Sequence, residues 1–230
     1  MVWQVPKIWE GEDVWILGGG PSVTKQFEIP ENVVQDVVAG RSSPSAYSPF
    51  MESIHNKHVI GINVSYLIGN WIDMVFFGDI GFLLAQMQYI SQFPGLKVSC
   101  HPTTAQYSWV KFLPHDKQHR LGISSNPKAV CWNGNSGAAA ISVAANAGAK
   151  RIFLLGFDMK LDDTQHQHWH NLYKRHGVKR NKPGGLPFKK HLQGFPQILK
   201  DAQARGIEII NVSPDSAITE FPRVVLKEAL

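Results

Sequence analysis

The chain has 230 residues, 43% hydrophobic and 18% charged, a composition that excludes wholesale disorder and fits a soluble globular protein. At this length one domain with a sizeable core is the expectation. The formal charge of +5 is unevenly placed, because Thr164 to Lys200 holds eight Lys or Arg and no acid; one cationic segment on a mildly acidic body points to a local anionic partner.

No apolar run reaches the ~18–20 residues that span a bilayer. The N-terminal MVWQVPKIWEGEDVWIL lacks a basic region followed by an apolar stretch and a small-residue cleavage site, so no signal peptide is read and a cytoplasmic location is expected. Cys100 and Cys131 have no metal-type spacing and are expected as buried free thiols in a reducing compartment.

In chain order, DVWILG (13–18) has a buried-strand pattern and runs into Gly18-Gly19-Gly20-Pro21-Ser22. PENVVQDVVAGRSSPSAYSP (30–49) reads as a helix followed by a mobile loop. HVIGIN (58–63), DMVFFGD (73–79), LKVSCH (96–101) and KAVCWN (128–133) read as further strands. SGAAAISVAANA (136–147) is a helix of small residues leading into the strand RIFLLGFD (151–158). FPQILKDAQARG (195–206) is an amphipathic helix stopped at Gly206, and IEIINV (207–212) is the last strand. Apolar strands without strict alternation, separated by helices, predict a single Rossmann-like α/β domain: a mostly parallel twisted sheet covered on both faces. Between the strand at 151–158 and the helix at 195–206 lies a long basic excursion, about 158–191, expected to form a lid. Connections longer than ~12–15 residues inside compact domains are commonly functional.

Ligands of such sheets bind where the carboxyl ends of the strands gather, and the candidate residues collect there. Glycines at 18–20 allow a sharp turn that brings backbone N–H groups close to an anion, with Ser22 as a hydroxyl donor. The motif is neither a dinucleotide fingerprint nor a Walker loop. Asn63 ends a strand with an amide suited to a base or sugar edge, or to an Asx-type turn. Asp79 suits a metal, ribose hydroxyls or a helix cap. Asn133, Asn135, Ser136 and Gly137 open the small-residue helix, whose positive end would face the same crevice. Asp158 ends the next strand.

His166, His168 and His170 alternate and would share a face in an extended segment, but no established metal spacing is matched and no metal is assigned. A histidine general base, His170 or His191, is the favoured reading. Tyr173, Lys174, Arg175, Lys179, Arg180 and Lys182 are candidates to stabilise a departing phosphate, with Trp169 and Tyr173 as aromatic anchors of the lid.

GGGPS, NSGAAAISVAANAGAKRIFLLGFDM and IINVSPDSAITEFPRV together resemble the bacterial sialyltransferases of glycosyltransferase family 42. The same frame resembles archaeal 6-hydroxymethylpterin diphosphokinases and, more closely, a group of phage-encoded proteins with LLGYDM…HWHGDH-like motifs. The resemblance implies that Gly18, Gly20, Pro21, Ser22, Asn63, Asn135, Ser136 and Gly137 surround a cytidine nucleotide, with Ser213, Pro214 and Ser216 in the closing segment. It also implies a lid after Asp158, a base at His191 with His170 as its rival, and an oligomer. The family's first lid tyrosine falls near Met159, which cannot donate a hydrogen bond, so its role would pass to Tyr173 or the lid cations.

The leading expectation is a glycosyltransferase moving a sugar from a nucleotide-activated, cytidine-linked donor to a hydroxyl acceptor, on phage DNA or a surface glycan, with no cofactor required. The alternatives are Mg2+-dependent pyrophosphoryl transfer from ATP, in which Asp79 and Asp158 would matter, and a non-enzymatic nucleotide- or nucleic-acid-binding accessory protein whose basic lid engages phosphates.

Overall fold

The apolar strands bury both of their sides. In β1 (Asp13–Leu17) the side chains of Val14 and Ile16 enter one hydrophobic layer, and those of Trp15 and Leu17 enter the layer on the opposite face. The structure, a computed structural model, describes residues 2–175 and 187–230, the side chains of Lys174 and Arg175 excepted. The other strands are β2 (His58–Ile62), β3 (Met74–Phe77), β4 (Leu96–Ser99), β5 (Lys111–Phe112), β6 (Arg151–Leu155) and β7 (Glu208–Asn211). They form one seven-stranded sheet in the order β5-β4-β3-β2-β1-β6-β7, with every neighbouring pair parallel. The expected α/β class is therefore the observed one.

Helices cover both faces, as a parallel sheet requires. They are α1 (Ser22–Gln26), α2 (Glu31–Ala39), α3 (Ile80–Ile90), α4 (Ser136–Asn146), α5 (Leu172–Arg175), α6 (Phe188–Leu192), α7 (Phe195–Ala204) and α8 (Leu226–Ala229). Ala138, Ala140 and Ala144 of α4 and Phe195, Ile198 and Ala202 of α7 pack on the Val14 and Ile16 side. Val23 of α1, Val37 of α2, Phe82 and Leu83 of α3 and Leu226 of α8 pack on the Trp15 side. Among the described residues no helix is long and apolar enough to cross a membrane. Cys100 and Cys131 are buried free thiols, as expected, and burial pushes each up to about 12.

Two local expectations are corrected. Residues 128–133 do not form a strand; Val130 makes only an isolated bridge to His115, and the edge position belongs to the two-residue β5. The stretch is apolar because Ala129, Val130 and Cys131 are buried. The supposed loop at 40–49 becomes, from Pro44 to Ile54, a 3-10 helix, started at Ser43, whose side chain accepts from the Ser45 amide, and held by the fully buried Tyr47, Met51 and Ile54.

Both outer edges of the sheet are engaged. The Trp3 amide donates to the Phe112 carbonyl at 2.9 Å on β5. On β7, the Asn211 amide donates to Pro222 at 2.8 Å, and the Val224 amide donates back to Asn211 at 3.0 Å.

The helix α4 lies against β1, β2, β3 and β6 with every residue from Gly137 to Asn146 buried. Only small side chains permit that approach. Ala140→Leu should cost about 1–3 kcal/mol by overpacking, read as a lower urea midpoint, whereas Ala204→Leu at the exposed end of α7 should stay within about 0.5 kcal/mol.

Candidate active site

The strand order reverses between β1 and β6, and the segments leaving these two strands meet above the sheet, at the kind of switch point where α/β folds bind ligands. They interlock closely. The Gly18 amide donates to Leu155 at 2.7 Å and the Gly20 amide to Gly156 at 2.9 Å. The Ser22 amide donates to Asp158 Oδ2 at 2.9 Å. A Cβ on Gly18 or on Gly20 would stand 2.7 Å from the Gly156 carbonyl oxygen, and one on Gly20 would also strike the Asp158 carboxylate. The turn needs glycine so that two backbones can touch. The expectation that these amides would cradle an anion is narrowed to Gly19, since the N–H groups of residues 18, 20 and 22 are spent on the end of β6. Ser22 Oγ is likewise engaged, 2.9 Å from Ser213 Oγ.

Beside this junction opens a cleft of about 1040 Å³. Of the expected residues, Gly18, Gly20, Asn63, Asp79, Asn135, Ser136, Gly137, Asp158 and His191 line it. Asn63 follows β2 with a φ of 51°, a conformation amides tolerate better than most side chains, and its buried Oδ1 has no hydrogen-bond partner. Asp79 caps α3 by accepting from the Gly81 amide at 2.7 Å. Asn135 caps α4, accepting from the Ala138 amide at 2.7 Å, and its Nδ2 donates to the His191 carbonyl at 3.1 Å. One side chain thus fixes both the positive end of a helix and the backbone of the candidate base.

Other expected residues stand outside the cleft lining. Asn133 is fully buried and structural: it accepts from the Gly122 amide at 2.7 Å and donates to the carbonyls of Gly122 and Cys131 at 2.9 and 3.0 Å. Ser216 Oγ donates to the Phe157 carbonyl at 2.6 Å and accepts from the Ile218 amide at 3.0 Å. Ser213 is buried beside Ser22, Pro21 is the buried residue before α1, and Pro214 lies in the turn that follows Ser213. These residues tie the closing segment to the end of β6. Arg180 and Lys182 lie outside the described residues, as does Lys179, and so do the side chains of Lys174 and Arg175.

The first part of the excursion is fastened to the glycine turn. Trp169 is buried, donates its indole N–H to the Gly18 carbonyl at 3.1 Å and its amide to Gly19 at 2.9 Å, and meets Tyr47 edge-on. The anchor role expected of Trp169 holds. The three alternating histidines do not act alike: exposed His166 lies 2.8 Å from Thr164 Oγ1, whereas His168 and His170 stack with centroids 5.2 Å apart. Tyr173 stands edge-on to both rings. His168, Lys190, His101, Trp132 and Phe188 line the cleft although no role at the site was assigned to them from sequence. For His168 the period-two spacing with His170 was the available signal; for His101 it was the position just after β4.

Burial and the neighbouring Lys190 hold the His191 imidazole below its ordinary value. Burial, reinforced by His168, holds His170 well below it. Burial raises the Asp158 carboxyl, opposed by hydrogen bonds from Ser22 and Ser213. No group of three or more His, Cys, Asp or Glu side chains placed to hold a metal ion occurs among the described residues.

No family model matches the chain, and no curated protein does. Solved structures do. The chain is similar to the sialyltransferase CST-II, solved with a trisaccharide acceptor and CMP, with a TM-score of 0.54 and 14% identity over 93% of this chain and 86% of that one. It is similar to the monofunctional α-2,3-sialyltransferase Cst-I from Campylobacter jejuni, with a TM-score of 0.50 and 15% identity over 93% and 80%. The MAf glycosyltransferase from Magnetospirillum magneticum AMB-1 gives a TM-score of 0.60 at 11% identity over 100% of this chain, which spans only 36% of that protein. At such identities the likeness is one of fold. It lies on the sialyltransferase side of the sequence resemblance, and the likenesses to pterin diphosphokinases and phage-encoded proteins gain nothing from it.

A buried neutral histidine makes stability depend on pH. The unfolded chain protonates His170 below about pH 6.5. The folded chain resists, so stability is fully present above that pH and falls below it, by up to about 1.4 kcal/mol per pH unit. His191 acts in the same sense, whereas the raised Asp158 carboxyl keeps its proton longer in the folded state and adds stability as the pH falls toward its ordinary value. Chemical denaturation between pH 7.5 and 5 should therefore show a steeper loss for the native chain than for His170→Phe; coincident slopes would mean that His170 is not held neutral.

Proposed function

We propose that the cleft binds a nucleotide-activated sugar, cytidine-linked, and that the chain is a glycosyltransferase with His191 as general base. The observation that carries this reading is the link through Asn135, whose single amide caps α4 and holds the His191 carbonyl. A proton acceptor and the positive end of an 11-residue helix are thereby presented to one cleft at the switch point. The fold likeness to CST-II, solved with CMP and an acceptor, supports the same reading.

In this scheme the acceptor hydroxyl oxygen bonds to the anomeric carbon of the sugar. Its proton passes to His191, and the bond from the anomeric carbon to the phosphate oxygen breaks with its electron pair remaining on the nucleotide. The depressed His191 leaves the imidazole neutral, hence competent as a base, at pH 7. Asn63 Oδ1, buried and unpartnered at the cleft wall, would accept a hydrogen bond from the nucleotide's base or sugar edge. The acceptor in this reading is a hydroxyl on a glycan or a modified nucleic acid.

CMP at ~100 times its dissociation constant should stabilise the chain by ~2.7 kcal/mol, with or without EDTA. Stabilisation by ATP only, and only with Mg2+, would replace this reading with pyrophosphoryl transfer. Salt-sensitive polynucleotide binding without any nucleotide effect would replace it with an accessory role. Once a donor is in hand, His191→Gln should lower kcat by about 10²–10⁴ while the donor KM stays within a few-fold.

A further inference from the structure

The chemistry above leaves a question about the donor's phosphate. The amides of Gly18, Gly20 and Ser22 are committed to the end of β6, so side chains around the turn are candidates to meet the anion beside the Gly19 amide.

Two hydrogen bonds to the glycine turn, from the Trp169 indole and amide, bring the flanking histidines onto Gly19. The point where a Cβ on Gly19 would stand is 3.0 Å from His168 Nδ1 and 3.7 Å from His170 Nε2. Both rings thus pack onto one bare α-carbon in the cleft wall; His168 and Gly19 line the cleft, His170 stands behind them, and His168 Nδ1 is itself buried, so an anion reaches the two nitrogens only as the rings shift aside. His170 is 6% exposed. Its Nδ1 accepts from the Leu172 amide at 3.3 Å, so in the neutral ring the proton sits on Nε2. That Nε2–H is buried and has no hydrogen-bond partner. The parallel stack of the two imidazoles, 5° apart in plane, with Tyr173 and Trp169 edge-on to His170, fixes the direction in which the donor points.

We propose that His168 and His170 form the phosphate subsite of the cleft, donating imidazole N–H groups to the phosphate oxygens of a bound nucleotide over Gly19. The proposal takes its nucleotide from the glycosyltransferase reading of this cleft, but its anion site stands on these residues alone. His170 is then a hydrogen-bond donor to the leaving group and not a rival base. When the anomeric C–O bond breaks, the charge left on the phosphate oxygen gains charge-assisted hydrogen bonds from donors already in place. A side chain at residue 19 would press on His168 Nδ1 and displace that ring.

The test uses the full chain and three probes: inorganic pyrophosphate, CMP and cytidine. Their effects are followed in 1H–15N spectra of the imidazoles and in calorimetric affinities. Pyrophosphate and CMP should both shift the His168 and His170 resonances, with cytidine leaving them in place. His168→Ala, at a half-buried position, should weaken CMP by about tenfold or more and change cytidine by less than about twofold. His170→Phe, which preserves the aromatic packing, should do the same. Failure of pyrophosphate and CMP to move either imidazole would overturn the proposal, as would equal weakening of CMP and cytidine by His168→Ala. If pyrophosphate moves both rings while CMP binds no better than pyrophosphate, the anion subsite stands and the cytidine-linked donor falls.

Discussion

Everything at the site depends on how closely the backbone leaving β1 lies against the backbone leaving β6. Three amides of the glycine turn are saturated by that contact, and Gly18 and Gly20 are dictated by a carbonyl oxygen at a distance no Cβ could share. A motif that reads as an anion cradle is here a joint. It joins the two halves of the parallel sheet at the point where their connections diverge, and so it defines the cleft while most of its own amides are used in the joint.

Donors and acceptors come instead from what is fastened around the joint. The Trp169 bonds bring the histidine segment over it from one side. Ser213 and Ser216 bind the closing segment to it from another, through Ser22 and the Phe157 carbonyl. Asn135 links α4 to the stretch carrying His191. Each fastening uses a neutral hydrogen bond with both partners at least partly buried, where a satisfied pair is retained because breaking it strands a polar group away from water.

Much of this was legible in the sequence. The strands flanking the site are continuous apolar runs because each is buried on two faces, and those runs located β1, β2, β3 and β6, although the expected strands 73–79 and 151–158 overran the ends of β3 and β6. The capping Asn135 and the small residues of α4 were visible for the same reason. What was not legible depended on partners distant in sequence. Asn133 and Asn135 look alike in NGNSG, yet one is consumed by Gly122 and the other faces the cleft. In the KAVCWN stretch Ala129, Val130 and Cys131 are buried with no more than an isolated bridge, and burial alone carries the same hydrophobic signature as a strand. His168 and His170 alternate as exposed polar residues often do; their stacking on each other, the edge-on Tyr173 and the contact with Gly19 separate them from His166.

The two edges of the sheet are engaged by segments near opposite ends of the chain, residues 2–3 beside β5 and 222–224 beside β7. An open strand edge is a template on which another chain can extend the sheet, the usual start of edge-to-edge aggregation and of strand-exchanged assembly. Here β5 offers two residues and β7 is already bridged, so neither edge presents a long open strand, and cutting back either segment would expose part of an edge as well as lose local order.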